Sequence, residues 1–219
     1  MMYDLPPVTR ALLIANVVVF LLEQVPSLQP LLIAYGALWP IGHAQLVQYA
    51  PGVVILSGFH FWQIITYAFL HGGWMHIGFN MFALWMFGGP IEHLLGEKHY
   101  LFYYFFCAVT AAIAHLLVAH FYTHGFYPTI GASGAIFGLL IAFGVMYPRM
   151  KMFLIFFPVP LPAWVFVAGY VLLELFFGVS GYESGVAHFA HLGGAVGGFL
   201  LLMYWRGKLP IKPKRILTR

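Results

Sequence analysis

A chain of 219 residues that is 62% hydrophobic and 7% charged, with a mean hydropathy of +0.89, is excluded from the soluble class and reads as an integral membrane protein. Its length supplies several spans of ~20 residues and little besides, so one membrane domain over residues 1–219 is expected. The single cysteine, Cys107, allows no intrachain disulfide and leaves the redox compartment open.

In chain order, Met1 to Arg10 followed by the apolar run Ala11 to Leu22 has the layout of a secretory signal. No small-residue cleavage site follows, and a retained first span over 8–25 is expected. Residues 26–73 form the one long connection. Its apolar patches, Leu31 to Trp39 and Phe59 to Leu70, are interrupted by Pro30, Pro40, Pro51 and several glycines, which exclude a span-length helix and place the segment in the outer interface. Five further spans are expected at about 74–91, 100–122, 132–147, 161–178 and 186–204, followed by a basic tail, 206–219. The fold class is all-α: a polytopic membrane helix bundle of six transmembrane helices.

Under that assignment every lysine and arginine falls on one side: Arg10, Lys98, Arg149, Lys151, Arg206, Lys208, Lys212, Lys214, Arg215 and Arg219. By the positive-inside rule this side is the cytoplasm. The chain is then a multi-pass protein of the cell (inner) membrane with both termini cytoplasmic. The basic tail meets anionic lipid, so the bilayer is a partner and nucleic acid is not. Trp39, Trp62 and Trp74 fit an outer aromatic belt, and Trp205 an inner one. His43, His60, His71, His120 and His124 are expected at the outer interface.

Polar side chains inside a span are costly in lipid and point to function. His76 and Asn80 lie four apart on one face of the second span. Ser133 lies in the fourth and His191 in the sixth. Ser133 is sixteen residues from Arg149, His191 fifteen from Arg206, and His76 sixteen from Glu92. At ~1.5 Å per residue, all three sit about 22–24 Å above the cytoplasmic boundary, with Asn80 a turn deeper. Gly134, Gly138 and Ala142 form one small-residue stripe, and Gly194 and Gly198 another sharing a face with His191, so the two helices can approach closely. A serine hydroxyl needs a base to take its proton, and His191 can serve. His76, the Asn80 amide and the Ser133 backbone N–H, at a helix start after Pro128 and Gly131, are candidate oxyanion donors. No aspartate lies in a span to orient His191, so the residues read as a Ser-His dyad.

Each residue also has a plainer reading. Ser133 alone fits a helix-packing serine, and His191 alone a hydrogen-bonded core histidine. His188 and His191 are three apart, and the chain has eleven histidines, so a membrane metal transporter or histidine-rich oxidase is a competing class. The scarcity of carboxylates in the spans speaks against it, and neither metal nor cofactor is expected. Glu174 in the fifth span reads as a protonated or hydrogen-bonded packing residue.

At Gly131-Ala132-Ser133-Gly134, at His76-x-x-x-Asn80, and at Ala190-His191-Leu192-Gly193-Gly194 followed by Gly198, the chain resembles the rhomboid intramembrane serine proteases, over about Phe61 to Trp205. The resemblance implies Ser133 as nucleophile, His191 as general base, His76 and Asn80 as oxyanion donors, and a six-helix core. It also implies transmembrane protein substrates cleaved in the outer part of the bilayer, with lateral entry past the fifth helix. Two positions depart from it: Gln63 follows Trp62 where the family often has arginine, and Phe137 stands where many members carry tyrosine. Gln63 removes an arginine-based brace, whereas the Phe137 ring can still pack on His191. A protease-like fold that binds membrane clients without cutting them is a third class, disfavoured because both serine and histidine are kept. Oligomeric state is open.

Overall fold

A computed structural model of the chain describes residues 5–154, 157–180, 188–211 and 213. The expected start of the last span at 186 and the tail residues Lys212, Lys214, Arg215 and Arg219 lie outside them. The chain is largely helical. In order it forms α1 (Pro7–Glu23), α2 (Gln29–Gly36), the strands β1 (Gln45–Ala50) and β2 (Val53–Ser57), and α3 (Gln63–Thr66). A 3-10 turn, Tyr67–Phe69, leads to α4 (Trp74–Leu95) and α5 (Glu97–Val118), which runs into a π turn, Ala119–Thr123. Then come α6 (Ser133–Met146), β3 (Lys151–Leu154), β4 (Phe157–Pro162), α7 (Ala163–Ser180) and α8 (His188–Trp205).

Six helices therefore fall where the apolar runs placed them. By length and composition two are long and apolar enough to cross a membrane, Glu97–Thr123 and Ala163–Ser180, while Ser133–Met146 is apolar but shorter. The others carry polar groups or stop short. α1 has 17 residues, and α4 contains His76, Asn80, Glu92 and His93.

Two antiparallel hairpins modify the all-helical expectation. β1 and β2 pair with Gln45 opposite Ser57 and a bulge near Ala50. The turn between them is Pro51-Gly52, with Gly52 at φ +75°, a conformation that favours glycine. Ile55 and Ser57 face inward while Val54 and Leu56 face out. That alternation is hidden in sequence because both faces of β2 carry apolar residues. β3 and β4 join α6 to α7 as a second hairpin.

The first connection has its own small core of Ile33, Ala34, Ala37, Trp39, Ile55 and Leu70. Trp39 is accordingly not a belt residue. It is 1% exposed, and its indole N–H donates to the Ile33 carbonyl at 2.9 Å, because α2 and the hairpin fold over it. Trp62 and Trp74 are exposed as expected, and His71 is buried where an interfacial position was expected.

The bundle centres on α5, α6 and α8, and glycines set how closely they pack. A side chain at Gly194 would collide with the Gly134 carbonyl, and one at Gly138 with the Cys107 thiol. At Gly198 a Cβ would come within 2.6 Å of the Tyr103 hydroxyl and 2.9 Å of the Gly138 Cα. The two stripes read from sequence thus meet each other. On the neighbouring face of α8, Gly193 and Gly197 abut Ala114 and Thr110 of α5. α7 is held more loosely, with Ala163, Val167 and Glu174 as its buried residues.

Candidate active site

Ser133 is the first residue of α6, which leaves its N–H and those of the next residues without helical acceptors. The preceding chain is fixed by Gly131, whose N–H donates to the Tyr67 carbonyl at 2.9 Å. Gly131 has φ +124°, where a Cβ would be strained. A Cβ there would also sit 2.8 Å from His76 Nε2 and 3.6 Å from Ser133 Oγ. The backbone therefore slips between the histidine and the serine, and only glycine fits.

His191 lies one turn into α8. Its Nε2 is 2.7 Å from Ser133 Oγ, so the matched depths and the glycine contact do bring the two together. Phe137, one turn along α6, stacks on the imidazole with centroids 4.6 Å apart and planes inclined by 6°. Tyr170 of α7 stacks on the other side of Phe137 at 5.0 Å. The position without a tyrosine hydroxyl still holds the histidine ring flat.

His76 and Asn80 are on α4. The Gly72 N–H donates to His76 Nδ1 at 3.2 Å, so the proton of the neutral ring belongs on Nε2, the atom facing Gly131. Asn80 is buried, and its side-chain amide donates to the His76 carbonyl at 2.8 Å. One amide hydrogen is thus committed to its own helix and one remains.

The unexpected member is Glu174. Its Oε2 accepts from His191 Nδ1 at 2.9 Å and from His188 Nδ1 at 2.7 Å, and the residue is 7% exposed. The sequence suggests a protonated or hydrogen-bonded packing residue here, and no aspartate lies in a span, whereas the structure puts the glutamate against both histidines. Two signals pointed to it: a carboxylate inside a span, and two histidines three apart near the start of the next helix. Among the described residues Glu174, His188 and His191 are also the one group of metal-ligating types whose ligand atoms lie within 4.8 Å of one another. A cation there would have to replace the proton on each Nδ1.

Gln63 is a second residue whose work was missed. It is fully buried. Its Oε1 accepts from the Trp39 N–H at 3.3 Å and the His60 N–H at 3.1 Å, while its Nε2 donates to the Gly58 carbonyl at 3.1 Å. A neutral amide braces the first connection where an arginine was missed.

Comparison with known proteins shows the family. The Rhomboid domain family matches residues 58–208, which include Gln63, His76, Asn80, Ser133, Glu174 and His191. The chain is 35% identical over 145 residues to Rhomboid protein 1, mitochondrial, of Saccharomyces cerevisiae, covering 65% of this chain and 41% of that protein. It is 32% identical over 206 residues to the human Presenilin-associated rhomboid-like protein, mitochondrial, covering 90% of this chain and 49% of that one. It is 33% identical over 139 residues to Rhomboid protease GluP of Bacillus subtilis, covering 63% and 25%. The chain thus spans about half or less of the length of these relatives. The match runs continuously through α3 to α8, the part of the chain that builds the serine–histidine contact, and on that ground the chain belongs to the rhomboid family of membrane proteins.

Proposed function

We propose that the chain is an intramembrane serine endopeptidase that hydrolyses peptide bonds in or beside the transmembrane segments of other membrane proteins. Ser133 is the nucleophile and His191 the general base. The observation that carries this reading is the 2.7 Å contact between Ser133 Oγ and His191 Nε2, made inside an apolar bundle where neither group has a packing reason to be polar. Family membership supports the same chemistry.

In the proposed reaction Ser133 Oγ bonds to the scissile carbonyl carbon while its proton passes to His191 Nε2. The developing oxyanion is met by the free N–H groups at the start of α6, by the His76 Nε2–H, and by the second hydrogen of the Asn80 amide. Loss of one such donor typically costs 10²–10³-fold in rate. His191 then protonates the departing amine, and water hydrolyses the acyl-serine. The substrate must present a locally unwound stretch, because a regular helix keeps its carbonyls in hydrogen bonds.

The same reading takes residues 1–219 as one membrane domain crossing the bilayer six times, in the cell (inner) membrane with both termini cytoplasmic and no metal or cofactor. Substrate entry past α7 is supported by how little of that helix is buried. Crosslinking α4 to α7 should then block transmembrane substrates while sparing small ones.

The deciding experiment uses purified protein in detergent. It should label with a fluorophosphonate and cleave a model transmembrane substrate in the presence of a chelator, and Ser133→Ala and His191→Ala should each abolish both activities. Cleavage that survives Ser133→Ala, or that stops on chelation alone, would overturn the reading in favour of metal chemistry at Glu174, His188 and His191. A folded protein that binds substrate without cutting would favour the client-binding class.

A further inference from the structure

We infer that Glu174 is a positioning residue that extends the Ser133–His191 pair into a three-membered relay, an inference that rests on the protease reading above. Three oxygen and nitrogen contacts run in sequence: Ser133 Oγ to His191 Nε2 at 2.7 Å, His191 Nδ1 to Glu174 Oε2 at 2.9 Å, and Glu174 Oε2 to His188 Nδ1 at 2.7 Å. They join α6, α8 and α7 at one level. An ionised carboxylate only accepts, so both Nδ1 atoms are donors. That fixes His191 as the Nδ1–H tautomer and leaves Nε2 with a lone pair facing the serine, as a base requires.

A packing role does not account for this geometry. His188 alone already gives the carboxylate a donor. The second donor is the ring that touches Ser133, which ties the anion to the base. One oxygen receiving two N–H donors is the arrangement of an anion held in place, with His188 holding the same oxygen that meets His191. The two N–H donors offset part of the cost of keeping that anion within the bundle. When Ser133 Oγ bonds to the carbonyl carbon, its proton moves to Nε2 and His191 becomes an imidazolium with Glu174 against Nδ1. When the C–N bond breaks, that proton leaves on the amine nitrogen. Glu174 gains and loses no proton in either step. It stabilises the charged intermediate and holds the ring against Phe137.

The titratable groups that face His191 are Glu174 on α7, His188 on its own helix and His76 on α4, with Tyr170 of α7 beyond Phe137. Of these only Glu174 offers an anion to Nδ1. Its removal has a signature that loss of packing lacks: the pH profile of the rate changes while KM and the melting temperature hold.

The test compares wild-type protein with Glu174→Gln and Glu174→Asp by fluorophosphonate labelling rate against pH, by kcat and KM on a transmembrane substrate, and by melting temperature. Glu174→Gln should label about 10²-fold more slowly or worse, by analogy with loss of the orienting acid in soluble serine proteases. Its pH profile should differ in shape from that of wild type. KM and the melting temperature should stay near wild type, and Glu174→Asp, which restores the charge, should recover at least about tenfold. Labelling by Glu174→Gln within about threefold of wild type with an unchanged pH profile overturns the inference. So does equal loss in both variants together with a collapsed melting temperature, which is the pattern of a structural residue. Ser133→Ala and His191→Ala run alongside, and labelling that survives in either one defeats the protease reading itself, whatever Glu174 does.

Discussion

At the scale of single residues, Glu92, Glu23 and Glu174 within the long helices each have specific partners. Glu92 on α4 accepts from the N–H groups of Val8 and Thr9 at 2.9 and 2.6 Å and from the Thr9 hydroxyl at 2.7 Å, closing the exposed donors at the start of α1. Glu23, at the end of α1, accepts from the His71 N–H at 3.0 Å, and Glu174 holds two histidines. Gln63 does comparable work with a neutral amide. In Gln63→Ala the N–H groups of Trp39 and His60 lose their acceptor in a buried place, each at about 1–3 kcal/mol. The expected result is a melting temperature lower by ~5–10 °C, with slower cleavage of transmembrane substrates. An unchanged melting temperature would mean that water replaces the amide. His71 sits beside this loop, outside the spans. Burial, and secondarily the neighbouring His76, hold its imidazole down at about 4, against the opposing pull of the Phe69 carbonyl. A histidine lowered in the folded state binds a proton more readily when unfolded, so its contribution is complete above pH ~6.5 and is lost as pH falls towards 4. The full loss is on the order of 3 kcal/mol. Melting temperature in detergent should therefore fall between pH 6.5 and 4, and His71→Phe should flatten that slope. Identical slopes in the two proteins would remove His71 as the cause.

At the scale of helices, the site depends on how closely α6 and α8 cross. The Gly134 carbonyl occupies the space a Gly194 side chain would need, and backbone cannot move aside as a side-chain tip can. Gly194→Ala should therefore push the two helices apart, lengthen the Ser133–His191 contact and abolish fluorophosphonate labelling. Gly169→Ala, at a position with no neighbour within 4 Å, should label normally. Equal labelling by the two variants would show that the crossing tolerates expansion. This crossing was legible in sequence, because Gly194 and Gly198, three and seven residues after His191, fix a face, and counting from the charged ends fixes a depth. Those two coordinates placed Ser133, His191 and His76 near one another. The third coordinate, rotation of α7, was not legible. α7 is apolar on all sides, so no pattern says which way Glu174 turns. The hairpins were missed for a related reason, since their alternation is blurred by apolar residues on both faces, and Trp39 was misplaced because a tryptophan in a loop looks the same whether the loop lies open or folds on itself. Gly193 and Gly197 escaped the stripe reading because they serve α5, on a face of α8 the serine does not touch.

At the scale of the whole molecule, contacts between helix ends show which ends lie together. The start of α1 meets the end of α4 through Thr9 and Glu92. The end of α6 meets the end of α4, where the Tyr147 hydroxyl donates to the Pro90 carbonyl at 3.3 Å. The start of α5 meets the end of α8, where His99 lies 5.6 Å from Trp205, and Gly96 alone separates α4 from α5. Arg10, Lys98, Arg149, Lys151, Arg206 and Lys208 stand at or beside these joined ends. The opposite end gathers Glu23 with His71 and the bridge between Leu38 and Thr129, and no lysine or arginine among the described residues stands there. An excess of positive charge at one end of a membrane bundle directs that end to the cytoplasm. The single native cysteine, Cys107, is buried, so the chain can carry one introduced thiol with little background. His124→Cys, at an exposed site of the end opposite the basic one, should react with a membrane-impermeant maleimide in intact cells. Met150→Cys, 47% exposed at the basic end, should react only after permeabilisation. The reverse pattern would invert the proposed orientation, and reaction of both in intact cells would show that the two ends are not separated by a bilayer, which would remove the ground for placing Ser133 and His191 beneath its surface.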